Sequence, residues 1–238
     1  MKEPSTIATR LAAVKARIEQ LTLEAGRPSG SVTLLPVSKT FGEDAIRQAL
    51  SAGMYRFGEN KAQEIRDKSR ALSDAQVKWV MIGHLQTNKA RDIARYAHEI
   101  QSLDRPELAE ALESRLQKEG RSLDALVQVK TSTEPSKYGL DPTALKDFLE
   151  YLSTEAPNLR VQGLMTMAAN DPDPQAVRAC FRRLRELRDV MQSANIPGIN
   201  LHRLSMGMSG DYHLAIEEGS TEVRIGSAIF GERSYTDS

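Results

Sequence analysis

Short apolar runs alternate with helix-periodic segments from residue 32 to residue 225 of this 238-residue chain. The first run, Val32-Thr33-Leu34-Leu35-Pro36-Val37, is apolar throughout apart from one threonine and ends at Ser38-Lys39-Thr40, the pattern of a buried strand. Strand-like segments follow at 55–57, 77–82, 98–102, 123–129, 160–165, 201–204 and 222–225. The stretches between them, 43–52, 60–72, 89–97, 105–119, 142–153, 174–194 and 210–217, read as helices, and Pro106 falls in the first turn of one of them. Strands separated by helices must run parallel, because a parallel neighbour needs a long crossover connection. Eight such units in a chain of this length favour a closed (β/α)8 barrel over an open sheet. An extra helix at 7–25, with Ile7, Leu11, Val14, Ile18 and Leu21 at helical spacing, is stopped by Gly26 and Pro28-Ser29-Gly30. It is expected to cap the bottom of the barrel. No linker or break in composition divides the chain, so residues 1–238 are read as one domain.

Composition narrows the partners. The 32 basic residues balance the 32 acidic ones, so no net field favours a nucleic-acid backbone. The single cysteine, Cys180, allows neither an internal disulfide nor a cysteine metal site. It falls in a helical run and reads as a small buried hydrophobe. No apolar run reaches membrane-spanning length, and the N-terminal residues lack the apolar core of a signal peptide. A cytoplasmic protein is expected.

In barrels of this kind chemistry sits at the C-terminal ends of the strands. The loops after strands seven and eight, Ser205-Met206-Gly207-Met208-Ser209-Gly210 and Gly226-Ser227, are rich in glycine and serine and lead towards helix starts. Free backbone N–H groups there would hold an anion such as phosphate, or the glycines serve only tight turns. Lys39 directly follows the first strand, so its ammonium would point into the barrel mouth. A partly desolvated lysine suits Schiff-base formation, and a solvated loop lysine is the other reading. Arg224 lies between Val223 and Ile225 in the last strand. Alternation sends it either inward, towards a bound ligand, or outward to the helices and solvent.

At these residues the sequence resembles the YggS/PROSC family of pyridoxal phosphate homeostasis proteins. The matching segments are Val37-Ser38-Lys39-Thr40, Phe57-Gly58-Glu59-Asn60, Ile82-Gly83-His84-Leu85-Gln86-Thr87-Asn88-Lys89 and Gly163-Leu164-Met165-Thr166-Met167. The longest are Leu204-Ser205-Met206-Gly207-Met208-Ser209 and the run from Gly219 through Glu222-Val223-Arg224-Ile225-Gly226-Ser227 to Gly231. The resemblance implies an α/β fold, a single (β/α)8 TIM barrel of the alanine racemase N-terminal domain type. It implies pyridoxal 5'-phosphate carried as a covalent aldimine, a Schiff base, on Lys39. Ser209, Gly226 and Ser227 would hold the phosphate, with Met206 and Gly207 shaping the same loop. Asn60 would lie near the cofactor ring or its hydroxyl, and Arg224 would face the pyridine nitrogen. Lys61-Ala62 and the segment Val77-Lys78-Trp79-Val80-Met81 depart from the family pattern, which bears on the pocket wall and not on the lysine or phosphate motifs.

The same residues leave carrier and racemase as alternatives. An arginine opposite the ring nitrogen disfavours ring protonation and weakens the ring as an electron sink, although related racemases share it. Racemisation also needs an acid or base on each face of the substrate. The related racemases take one from a tyrosine on a second, β-rich domain across a dimer. Here the sequence reaches Ser238 soon after the last strand, so neither that domain nor its dimer is expected. Tyr138 and Tyr212 lie on rim loops and read as packing residues. Lys137 is either a second, transfer lysine or an exposed loop lysine. The expectation is a monomeric carrier that stores the cofactor and delivers it to apo-enzymes. A pure protein-interaction module, with no Schiff base, is the third class.

Overall fold

A computed structural model describes residues 6–132, 134, 138–169 and 171–231. Its elements alternate as the sequence predicts. Helix α1 (Ile7–Glu24) precedes β1 (Thr33–Pro36), α2 (Glu43–Ser51), β2 (Arg56–Glu59), α3 (Ala62–Ala71), β3 (Lys78–Met81) and α4 (Ala90–Tyr96). Then come β4 (Glu99–Leu103), α5 (Pro106–Glu119), β5 (Leu123–Gln128), α6 (Leu145–Glu155) and β6 (Leu159–Met165). The chain continues through α7 (Pro174–Ser193), β7 (Arg203–Ser205), α8 (Tyr212–Glu217), β8 (Glu222–Ile225) and α9 (Ser227–Phe230).

All eight strands lie in one sheet, in the order β1-β8-β7-β6-β5-β4-β3-β2. Their pairings are parallel, with Leu35 of β1 opposite Arg224 of β8. The sheet's two edges meet at a parallel bridge between Val37 and Gly58, where the Ser38 N–H donates to the Gly58 carbonyl at 3.0 Å. The sheet thereby closes into a (β/α)8 barrel. Its strands are covered inside and out, and every residue of β4 and β8 is buried. Each surrounding helix turns one apolar stripe to the sheet. Helix α5 buries Leu108, Leu112 and Leu116, starts with Pro106 and ends on Gly120 at φ 60°, the left-handed cap that glycine accepts without strain. Helix α7 buries Val177, Phe181 and Leu184, with Cys180 among them as the small hydrophobe predicted.

The first helix corrects one expectation. It does not cap the bottom of the barrel but runs down its outer wall, packed against α2, α8 and α9. Near its start Arg10 Nε donates to the Ile229 carbonyl at 2.5 Å, and near its end Glu19 accepts from the Gly30 N–H at 3.1 Å. Helix α9 is only four residues long, too short to cover the seam between β8 and β1. Helix α1 covers it instead, because its stripe of Ile7, Leu11, Ile18 and Leu21 needs apolar wall. The barrel bottom offers charge.

That bottom is built from the first residues of four strands. Arg56 pairs with Glu222 and, at 2.7 Å, with Glu99. Arg203 reaches Glu99 at 3.0 Å and Glu222 at 2.9 Å. One layer up, Gln101 Nε2 donates to Glu99 at 2.7 Å and to Glu222 at 2.5 Å. Burial opposes charge on Glu222, yet Arg56 and Arg203 outweigh it and hold its carboxyl below the usual range. Two strands are displaced from their expected bounds: β2, expected at 55–57, spans Arg56–Glu59, and β7, expected at 201–204, spans Arg203–Ser205. In the fold Arg56 and Arg203 point inward and are paired, and Glu59 continues β2 opposite Met81.

Gly163 of β6 passes so close to β7 that a Cβ there would sit 2.0 Å from the Arg203 carbonyl oxygen. Gly163→Ala is therefore expected to destabilise the barrel by about 2–3 kcal/mol. In a domain of this size that lowers the thermal midpoint by roughly 5–10 °C, measurable by circular dichroism.

Candidate cofactor site

A cavity of about 340 Å3 opens at the C-terminal end of the barrel. Lys39, Asn60, Ser209, Arg224, Gly226 and Ser227 all line it, so strand ends far apart in sequence converge as predicted. Met206 and Gly207 do not line it. Met206 is wholly buried in the core. Gly207 turns the loop at φ 95°, where a Cβ would meet the Ala215 Cβ at 2.6 Å, and its carbonyl accepts the Arg224 N–H at 3.0 Å. Both shape the loop that Ser209 belongs to.

Lys39 is held by its neighbours. Ser38 is buried, and its Oγ donates to Glu59 at 2.6 Å. Lys68, from α3, donates to the Ser38 carbonyl at 3.0 Å, to Glu59 at 2.7 Å and to Glu64 at 2.9 Å. Glu64 in turn accepts the Thr40 N–H at 3.0 Å. Thr40 sits at φ 72°, which costs a residue with a Cβ about 1–2 kcal/mol. The hydrogen bonds on either side hold that conformation, so the backbone presenting Lys39 is fixed before any ligand arrives.

Arg224 points inward, which decides the alternative left by alternation. It is buried, with Nη1 donating to Ser205 Oγ at 2.7 Å and Nη2 to the Thr166 carbonyl at 2.8 Å. The Ser205 hydroxyl donates to Gln101 Oε1 at 2.7 Å. The direction of this chain is forced: Gln101 spends its nitrogen on two carboxylates, so its oxygen must accept from Ser205, and Ser205 must accept from Arg224. Burial pulls the guanidinium down to about 10, against Glu222 and Asp211, which favour its charge. It remains a cation at neutral pH.

The loops after β7 and β8 supply donors. The N–H groups of Ser227 and Ala228 open α9 and have no intrahelical acceptor. Asp211 Oδ1 takes the Met208 N–H at 2.5 Å, and this fixes the turn carrying Ser209. Across the cavity, the buried Oδ1 of Asn60 has no hydrogen-bond partner among the described residues. A buried orphan acceptor is costly unless a ligand donor meets it.

Other residues at the mouth carried no assigned role in the sequence. His84 lines the cavity, its Nδ1 lies 3.6 Å from Asp104 Oδ2, and its ring stacks on Tyr138 at 4.2 Å between centroids. Gln128 donates to the Tyr138 carbonyl at 3.0 Å. Their common signal was position, since each stands at or just beyond the end of a strand. Tyr138 therefore does pack, though on the cavity rim. Tyr212 packs against the core and does not line the cavity. Lys137 lies outside the described residues.

Glu59 gives this region a pH signature. Burial is the largest influence and pushes its carboxyl from 4.5 up to about 7, against Lys68 and Ser38. The folded state then holds a proton that the unfolded chain releases, so this stabilisation is full below pH 4.5 and is lost as pH rises through 7. Glu59→Gln keeps an acceptor for Ser38 and removes the titration. Urea unfolding is expected to show wild type losing about 1 kcal/mol relative to the variant between about pH 6 and pH 8.

Comparison with known proteins agrees with this geometry. Residues 9–234 match the family model described as alanine racemase, N-terminal domain. A pyridoxal phosphate homeostasis protein of Aquifex aeolicus is 42% identical over 226 residues, which cover 95% of this chain and 98% of that one. The structure of PipY from Synechococcus elongatus PCC7942 with pyridoxal phosphate bound superposes with a TM-score of 0.82 at 36% identity, over 95% of this chain and 100% of the other. An alanine racemase from Streptomyces lavendulae shares the fold at TM-score 0.72 and 17% identity, over 94% of this chain but 58% of its own. The chain belongs to the alanine racemase N-terminal domain family and, within it, to the pyridoxal phosphate homeostasis proteins.

Proposed function

We propose that this protein binds pyridoxal 5'-phosphate in the barrel mouth, covalently on Lys39, and serves as a carrier in its homeostasis. The observation that carries this reading is the convergence of an anchored lysine, a buried arginine and a serine–glycine anion site on one cavity. The residues present fit the group. Ser209, Gly226 and Ser227 would take the phosphate, with Met206 and Gly207 holding the loop in shape. Arg224 would face the ring nitrogen. The unpartnered Asn60 Oδ1 suits the ring hydroxyl, a donor. The cofactor supplies an aldehyde that condenses reversibly with an amine. The chain's part is to orient Lys39, neutralise the phosphate and keep a cation at the ring nitrogen. PipY, whose structure holds pyridoxal phosphate, supports the choice of ligand.

Storage is favoured over racemisation. The Aquifex aeolicus relative named for pyridoxal phosphate homeostasis matches along nearly its whole length, and the racemase along little more than half. Arg224, cationic at neutral pH, weakens the ring as an electron sink, although related racemases share this arginine. No helix among the described residues is long and apolar enough to cross a membrane, and we place the carrier in the cytoplasm as a single-domain monomer. Its partners would be apo-enzymes that take up the cofactor.

Two measurements test this. Protein incubated with pyridoxal phosphate should show the long-wavelength absorption of a Schiff base. Lys39→Ala should lose that band and bind at least about tenfold more weakly, a cost of about 1.4 kcal/mol or more. An unchanged band in the variant would sink the Lys39 assignment. Incubation with L-alanine or L-serine should yield no D-enantiomer. Turnover that disappears with Lys39→Ala would overturn the carrier reading in favour of a racemase.

A further inference from the structure

A carrier must load and unload, and both need proton transfer at the covalent link. Among the described residues, four titratable side chains line the cavity: Lys39, His84, Tyr138 and Arg224. Lys39 is the nucleophile, and Arg224 is committed as a donor to Ser205 and Thr166. The Tyr138 ring is stacked against His84 and half exposed. Histidine is the side chain whose ordinary function is to exchange protons between about pH 5 and 8.

His84 is also set up as such a group. Its Nδ1 faces Asp104 Oδ2 at 3.6 Å. The other oxygen of that buried carboxylate takes Arg105 Nη1 at 2.6 Å, and Arg105 Nη2 donates to the Leu85 carbonyl at 2.7 Å. The Ser102 hydroxyl pins the Gly83 carbonyl, next to His84 in the chain, at 2.6 Å. Lys61 and Lys89 border the adjoining depression that His84 also lines. A base whose far nitrogen is turned to an anchored carboxylate is the arrangement that orients proton-transferring histidines. With Nδ1 turned towards Asp104, Nε2 is the nitrogen left to exchange a proton in the cavity that Lys39 also lines.

We propose that His84 is the proton shuttle for making and breaking the covalent link between Lys39 and its aldehyde ligand. The proposal rests on the Lys39 reading above. In loading, Lys39 Nζ forms the new C–N bond as the carbonyl π pair moves to oxygen. His84 then carries protons from that nitrogen to that oxygen. Nitrogen gives up two protons in all, oxygen gains two, the C–O bond breaks and one water departs. Nothing is oxidised or reduced. Unloading is the reverse, with His84 taking a proton from the incoming water.

A shuttle speeds both directions equally and leaves the equilibrium alone, which separates it from a packing role. With pyridoxal phosphate as the probe, His84→Gln should slow loading and release by about 10²-fold each in stopped-flow absorbance, with Kd almost unchanged. Added imidazole should restore both rates, and Asp104→Asn should slow them by less. Wild-type loading should also be slower in deuterium oxide, a readout that does not depend on the variant folding. Unaltered rates in the variant, a weakened Kd without imidazole rescue, or no isotope effect would each overturn the shuttle. Absence of the Schiff-base band in wild type would instead remove the underlying Lys39 reading.

Discussion

Two arginines and two glutamates meet inside the bottom of this barrel, and the rest of the interior is arranged around their pairing. Each charge is taken out of water, which is tolerable only while its partners are present. Removing one partner from such a group leaves an uncompensated charge worth about 3–5 kcal/mol. The pairing also transmits direction. The two carboxylates hold the Gln101 nitrogen, so its oxygen faces up the barrel to Ser205, and Ser205 can only accept from Arg224. The cation in the cavity wall is thus aimed by charges deeper in the barrel.

The cavity's two main groups are secured by separate means. Arg224 is held from inside, by the polar column. Lys39 is held from outside, through Lys68, Glu59 and Glu64 on the helical side of the wall. Neither network waits for a ligand, so little ordering entropy is left to oppose binding. The rim is different in kind: His84 and Tyr138 are stacked but partly exposed, which suits a mouth that must let a ligand in and out.

Much of the fold was legible because it follows from local patterns. Alternating apolar runs and helical stripes can only be satisfied by parallel strands with helical crossovers, and the strand-end rule then picks out Lys39 and the loops carrying Ser209 and Gly226, while Asn60 came from the family resemblance. What stayed hidden was long-range. Arg56, Glu99, Arg203 and Glu222 are scattered over more than half the chain, and each alone resembles a solvated strand terminus. Nothing local says that they face one another. Helix α1 was misplaced for the same reason: its apolar stripe was plain, but not that the bottom of the barrel was charged. His84 stood in a recognisable motif, yet its carboxylate partner comes from beyond the next strand.

The position of α1 has a consequence for how the chain is made. Helix α1, which precedes every strand of the barrel, seals the seam beside β8, and Arg10 reaches the carbonyl of Ile229. Two of its lateral partners, α8 and α9, come only after β7 and β8 respectively. Contacts between such distant segments are slow to form, because the loop-closure entropy comes due before the contacts reward it. During synthesis the apolar face of α1 has α2 beside it but no far wall, and the ring of helices closes only once α8 and α9 are available. The barrel is therefore completed as a unit from its two ends rather than added to strand by strand.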